Sequence, residues 1–120
     1  MGGYNEEQKG ELALKNTLCT MGIYECMHYS FFSPADLDLL KLPADAKERN
    51  AIEIINPINQ DLSLMRTTLA ASMLNAISRN EKQGTLEGRL FEVASIYIPE
   101  SLPLTSYPDE RKVLCVGTFG

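Results

Sequence analysis

The sequence predicts an α+β fold, a mostly antiparallel sheet flanked by helices. Three observations carry that expectation. Two segments place apolar residues at helical spacing, which gives each an apolar stripe. The two best strands lie at the C-terminal end, joined by a loop with Pro99, Pro103 and Pro108; that loop has no room for a crossover helix, so the strands pair antiparallel. With 120 residues, 44% of them hydrophobic and 22% charged, the chain has the apolar content of one soluble globular unit with a real core.

Residues 6–21 read as the first helix. Leu14, Leu18 and Met21 fall on one stripe, and Glu6 and Glu7 sit in the first turn, where the helix dipole favours acids. Gly22 is the expected left-handed stop. Residues 1–5 read as a tail or linker. Residues 23–32, dense in Tyr24, Tyr29, Phe31 and Phe32, read as one strand. Ser33-Pro34-Ala35-Asp36 starts a short helix, with Ser33 as cap and Asp36 reaching back. Residues 43–50 form a polar loop, and residues 51–55 a second strand that stops at the Asn56-Pro57-Ile58-Asn59 turn cluster. Residues 66–80 read as the second long helix, with Leu69, Met73 and Ile77 on its stripe. Its small residues Ala70, Ala71 and Ser72 predict a close approach to a sheet. Residues 88–98 alternate Leu90, Glu92, Ala94 and Ile96 with Phe91, Val93, Ser95 and Tyr97. Both faces are largely apolar, which predicts a central strand, and Glu92 is the exception. Residues 112–119 form the last strand.

Charge and composition exclude several classes. Eleven Lys plus Arg against sixteen Asp plus Glu leave a net charge of −5, which opposes generic phosphate binding. No apolar run reaches the roughly 18 residues of a membrane span, and the polar, acidic start does not read as a signal peptide. Cys19, Cys26 and Cys115 form no CxxC pair and read as small buried hydrophobes in a reducing compartment. A zinc site lacks ligands, because His28 is the single histidine. Cys26 and His28 are spaced to share a strand face, but that spacing alone does not make a nucleophile and base. A P-loop and a dinucleotide glycine fingerprint are absent.

Four stretches in order go further: Met21-Gly22-Ile23-Tyr24-Glu25 leading to Tyr29-Ser30-Phe31, then Asn56-Pro57-Ile58, then Met65-Arg66-Thr67-Thr68-Leu69, then Arg89-Leu90-Phe91-Glu92-Val93. Together they resemble the catalytic-like core of the β subunit of phenylalanyl-tRNA synthetase, from about residue 10 to the end. The resemblance implies a partial class II synthetase-type core. It also implies a cytoplasmic enzyme of two α and two β chains, in which the α subunit charges tRNA(Phe) with phenylalanine using ATP and magnesium. Expected partners are therefore the α subunit, the remainder of the β subunit and, for the whole enzyme, tRNA(Phe), with no membrane. Residues 1–120 match only the first part of the core, and cutting it there predicts exposed edges and self-association.

Catalytic relatives place an arginine, closely followed by an acid, on the strand pair after the long helix, to neutralise a triphosphate. Here Phe91-Glu92-Val93-Ala94-Ser95-Ile96-Tyr97 carries none after Arg89. No catalytic, cofactor-binding or metal residue is therefore expected in this segment. The structural or interface candidates are Arg66, Glu92, Phe91, Asn56, Tyr29 and Phe31. Arg66 meets a partner chain or a phosphate, or pairs locally with an acid such as Asp61 or Glu92. Glu92, if buried, needs backbone donors or Arg66. The alternatives to a scaffolding role are a tRNA-contacting module and a free-standing small ligase.

Overall fold

The computed structural model describes residues 3, 5–55, 57, 62–99 and 108–120. Helix α1 (Glu6–Thr20) is followed by β1 (Tyr24–Glu25), β2 (Phe31–Phe32), α2 (Pro34–Leu39), β3 (Leu64–Met65), α3 (Ala70–Lys82), β4 (Gly88–Ile98) and β5 (Asp109–Phe119). One sheet has the order β1-β4-β5, and β2 and β3 make a second. The larger sheet is mixed, with one short parallel pairing in the mostly antiparallel arrangement expected. The β1–β4 pairing is parallel, whereas β4 and β5 pair antiparallel along their whole length, from Gly88 opposite Phe119 to Ile98 opposite Asp109. The central strand and the antiparallel last pair are as the alternation predicts.

Local chemistry explains the helix ends. Asn5 caps α1 in a reciprocal box with Gln8, so this residue of the expected tail belongs to the fold; Met1, Gly2 and Tyr4 lie outside the described residues. At the other end Gly22 takes φ 81°. Its N–H donates to the Cys19 carbonyl and the Ile23 N–H to the Leu18 carbonyl, the paired bonds of a glycine-terminated helix. Leu18 and Ile23 then pack together with Phe91 and Val93. Ser33 and Asp36 form the expected box at the start of α2.

Three expectations are corrected. Residues 23–32 are not one strand. Tyr24–Glu25 pairs with β4 and Phe31–Phe32 with β3, so the segment crosses between two sheets and its centre has no ladder. Residues 51–55 make a single bridge, Glu53 with Leu64, rather than a strand. The second long helix begins at Ala70, because Arg66 and Thr67 are still held by extended-chain bonds: the Arg66 N–H donates to Ser30 and the Tyr97 N–H to Arg66. The Asn56 cluster lies outside the described residues except for Pro57, as does most of the 99–108 loop.

Helices α1 and α3 lie on opposite faces of the sheet. Phe91, fully buried, packs with Leu18 of α1. On the other face a Cβ added at Gly117 would stand 2.8 Å from both Ile77 Cδ1 and Met73 Cγ, so α3 rests on β5 where there is no side chain. The close approach inferred from the alanines is real, and the glycine of β5 makes the room. A second core joins Phe32, Leu37, Ala51 and Leu64. Arg49 braces the loop beside it, donating to the Leu42 and Pro43 carbonyls and pairing with Asp38 at 2.9 Å.

Candidate functional site

The alternation of β4 sends Glu92 to the α3 face, opposite Cys115 on β5, and Phe91 to the α1 face. Glu92 is only 2% exposed, so its carboxylate needs donors. It has three. The His28 backbone N–H donates to Oε2 at 3.0 Å, and His28 Nδ1 lies 3.0 Å from Oε1. Arg66 Nη1 lies 3.6 Å from Oε2. A carboxylate only accepts, so Nδ1 carries the proton and the tautomer is fixed.

Arg66, 5% exposed, is spent internally. Its Nε donates to the Ser95 carbonyl at 2.7 Å and its Nη1 to the Tyr29 carbonyl at 3.1 Å. With its own backbone bonds it ties β4 to the 28–31 segment. Of the two readings the sequence left for Arg66, local pairing is the one that holds, and the acid is Glu92; Asp61 lies outside the described residues. His28 is the member that sequence reasoning missed. A buried acid announced the need for a partner, but the partner is 64 residues away and was weighed only beside Cys26.

The remaining candidates separate. Phe91 is core. Tyr29 is 74% exposed and Phe31 half-exposed, both on the wall of a cleft of about 750 Å³. Asn56 lies outside the described residues. Nor are the cysteines uniformly buried: Cys19 is exposed, because α1 turns that side to solvent, while Cys26 and Cys115 are half-buried. Burial, with the Glu92 charge second, pushes the Cys26 thiol up to about 11 and the Cys115 thiol in the same direction. Cys26 Sγ donates to the Phe91 carbonyl. A raised thiol pKa and a histidine already engaged by Glu92 do not make a nucleophile and base.

A phosphate-binding strand pair needs free cations. On β4 and β5 the cations are Arg89, Arg111 and Lys112. Arg89 is exposed, Arg111 pairs with Asp109 at 2.6 Å and Lys112 with Glu11 at 3.1 Å. A second hollow of about 400 Å³ at the start of α3 is lined by Ile96, Ile98 and Val113 as well as Lys47 and Arg111. Among the described residues no group of three His, Cys, Asp or Glu side chains could hold a metal ion.

This arrangement of helices and strands is similar in fold to solved aminoacyl-tRNA synthetases. Two solved pyrrolysyl-tRNA synthetases from Desulfitobacterium hafniense superpose on it with TM-scores of 0.74 and 0.71, at 15% and 16% identity. The alignments cover 94% and 92% of this chain, and 38% of each synthetase chain. The family described as the phenylalanyl-tRNA synthetase beta chain CLM domain matches residues 1–120. A phenylalanine–tRNA ligase beta subunit from Clostridium tetani is 42% identical over 99 residues, and one from Clostridium acetobutylicum is 34% identical over 118. The chain belongs to the phenylalanyl-tRNA synthetase beta chain family. It spans 12% and 15% of the length of those two relatives, which cover 82% and 98% of it. No helix of the described residues is long and apolar enough to cross a membrane.

Proposed function

We propose that these residues are the first part of a catalytic-like core that works as a scaffold within phenylalanine–tRNA ligase. In this reading the core packs against the α subunit and the remainder of the β subunit in a cytoplasmic heterotetramer. The α subunit carries out the ATP- and magnesium-dependent charging of tRNA(Phe), and this segment contributes no reacting group. Its contribution is preorganisation: a rigid, buried framework limits how far the neighbouring site can deform.

The observation that carries the reading is the fate of the charged side chains on the α3 face of β4. Glu92 and Arg66 satisfy each other and nearby backbone groups, so neither is left for a substrate. Tyr29 and Phe31, exposed beside this network, are the side chains offered to a partner. Phenylalanine-dependent pyrophosphate exchange tests the claim. The purified chain should show none above background, with or without magnesium; exchange that rises with protein concentration overturns it.

A further inference from the structure

The 750 Å³ cleft has two unlike walls. On one side stand Met27, Tyr29 and Phe31; Met27 is 84% exposed, unusual for a large apolar side chain flanked by aromatic ones. On the other side Ser72, Asn75 and Arg79 line the cleft. They lie at i, i+3 and i+7 of α3, which puts them on one face.

Two guanidinium groups reach this space. Arg79 is exposed and has no ion-pair partner among the described residues. Arg66 lines the cleft and uses Nε and Nη1 for its internal bonds. The one acid on the lining among the described residues, Asp36, is engaged with Ser33 and Asn75. The cleft thus presents the exposed Arg79 guanidinium beside an apolar wall, in a chain whose net charge is −5.

We propose that this cleft is a docking groove for a segment of a partner protein in which a carboxylate side chain is flanked by apolar ones. The carboxylate meets Arg79, and the apolar neighbours cover Met27, Tyr29 and Phe31. Charge complementarity selects the acid, since guanidinium and carboxylate match in geometry and sign. The apolar wall selects protein over nucleic acid: Met27 and Leu62 offer nothing to a phosphate, and Arg79 is the one exposed arginine on the lining. The inference does not depend on which chain supplies the segment, and it stands or falls apart from the scaffold role.

The probe is an acetylated pentapeptide amide, Leu-Asp-Phe-Glu-Leu, set against its Asn and Gln counterpart and against a polyuridine oligonucleotide. Binding is followed by backbone amide shifts of the chain. The acidic peptide should bind in the micromolar range, shift amides of residues 27–32 and 72–79, and weaken with salt. The amide counterpart should bind about tenfold more weakly. Tyr29→Ala and Arg79→Glu, both at exposed positions, should each lose at least about tenfold with an unchanged thermal unfolding curve. Equal affinity for the two peptides overturns the proposal, as do shifts confined to other surfaces, absence of binding at millimolar peptide, or polyuridine displacing the peptide. The peptide pair decides the matter even where a variant loses its fold.

Discussion

Replacing Glu92 with Gln tests the network that organises the site. Glutamine keeps the volume and one acceptor, so the His28 backbone N–H retains a partner. Its amide NH₂ then takes the other position and faces His28 Nδ1, a donor 3.0 Å from the present carboxylate. The substitution leaves the Arg66 guanidinium buried without its counter-charge. Removing one member of a buried pair costs about 3–5 kcal/mol, and the surviving backbone bond puts Glu92→Gln near 3. At this chain length each kcal/mol moves the midpoint by roughly 4 °C, so Tm should fall by about 12 °C. Thermal and urea unfolding followed by circular dichroism read this directly. A loss under about 1 kcal/mol would refute the reasoning, because an exposed ion pair accounts for that much. The double variant Arg66→Met with Glu92→Leu supplies the internal check. It should be less destabilised than the two single changes added, by about 1–3 kcal/mol, since it leaves no buried charge unpaired.

Other expectations follow from single side chains. With iodoacetamide at pH 8, exposed Cys19 should be alkylated well before Cys26, whose thiol is raised to about 11; mass mapping that finds Cys26 first would contradict the burial argument. The same shift has a sign for stability. The folded-state value lies above the ordinary 9.0, so the contribution is complete below pH about 9 and is lost as pH rises toward about 11; Cys26→Ala should flatten that alkaline limb. Gly117→Ala would bring a methyl to 2.8 Å from Met73 and Ile77 and should cost about 1–3 kcal/mol by urea unfolding, partly recovered by Met73→Ala in the same chain. Lys41 holds φ 56° just past α2, so Lys41→Gly should be neutral or stabilising by up to about 1 kcal/mol; clear destabilisation would mean that its side chain matters more than its backbone.

What the sequence disclosed depended on how local the cause is. Gly22, the Ser33–Asp36 box and the period-2 run of residues 88–98 are written within a few residues, and each stands where it was expected. The aromatic run from Tyr24 to Phe32 misled because β propensity describes a half-buried pleated surface and not a partner. Which two residues join β4 and which two join β3 is settled by segments 32 to 66 residues away. The site divided in the same way. A lone acid in a greasy strand announced that it needed donors, and Arg66 was a nameable candidate. Nothing near Glu92 in the sequence pointed to His28, whose backbone and ring both turn toward it only because β1 lies parallel beside β4.

On the scaffold role proposed above, a core without nucleotide-binding cations is physically consistent with the network this chain contains. Arg66 and Glu92 contribute to folding in the absence of any ligand, since each would otherwise be a buried charge without a partner. A triphosphate-binding arginine on the α3 face of β4 would do the opposite. Unliganded, it would sit on a partly buried strand beside Arg66, and like charges in a low-dielectric environment repel. That cost is offset only when phosphate is bound. On that proposal an apolar side chain in place of such a cation adds stability, and Ile96 and Ile98 occupy that face. Ile96→Arg therefore tests the idea from the other direction: it should destabilise the chain by about 1–3 kcal/mol without conferring nucleotide binding. ATP binding by that variant in calorimetry would show that one cation was all the site lacked.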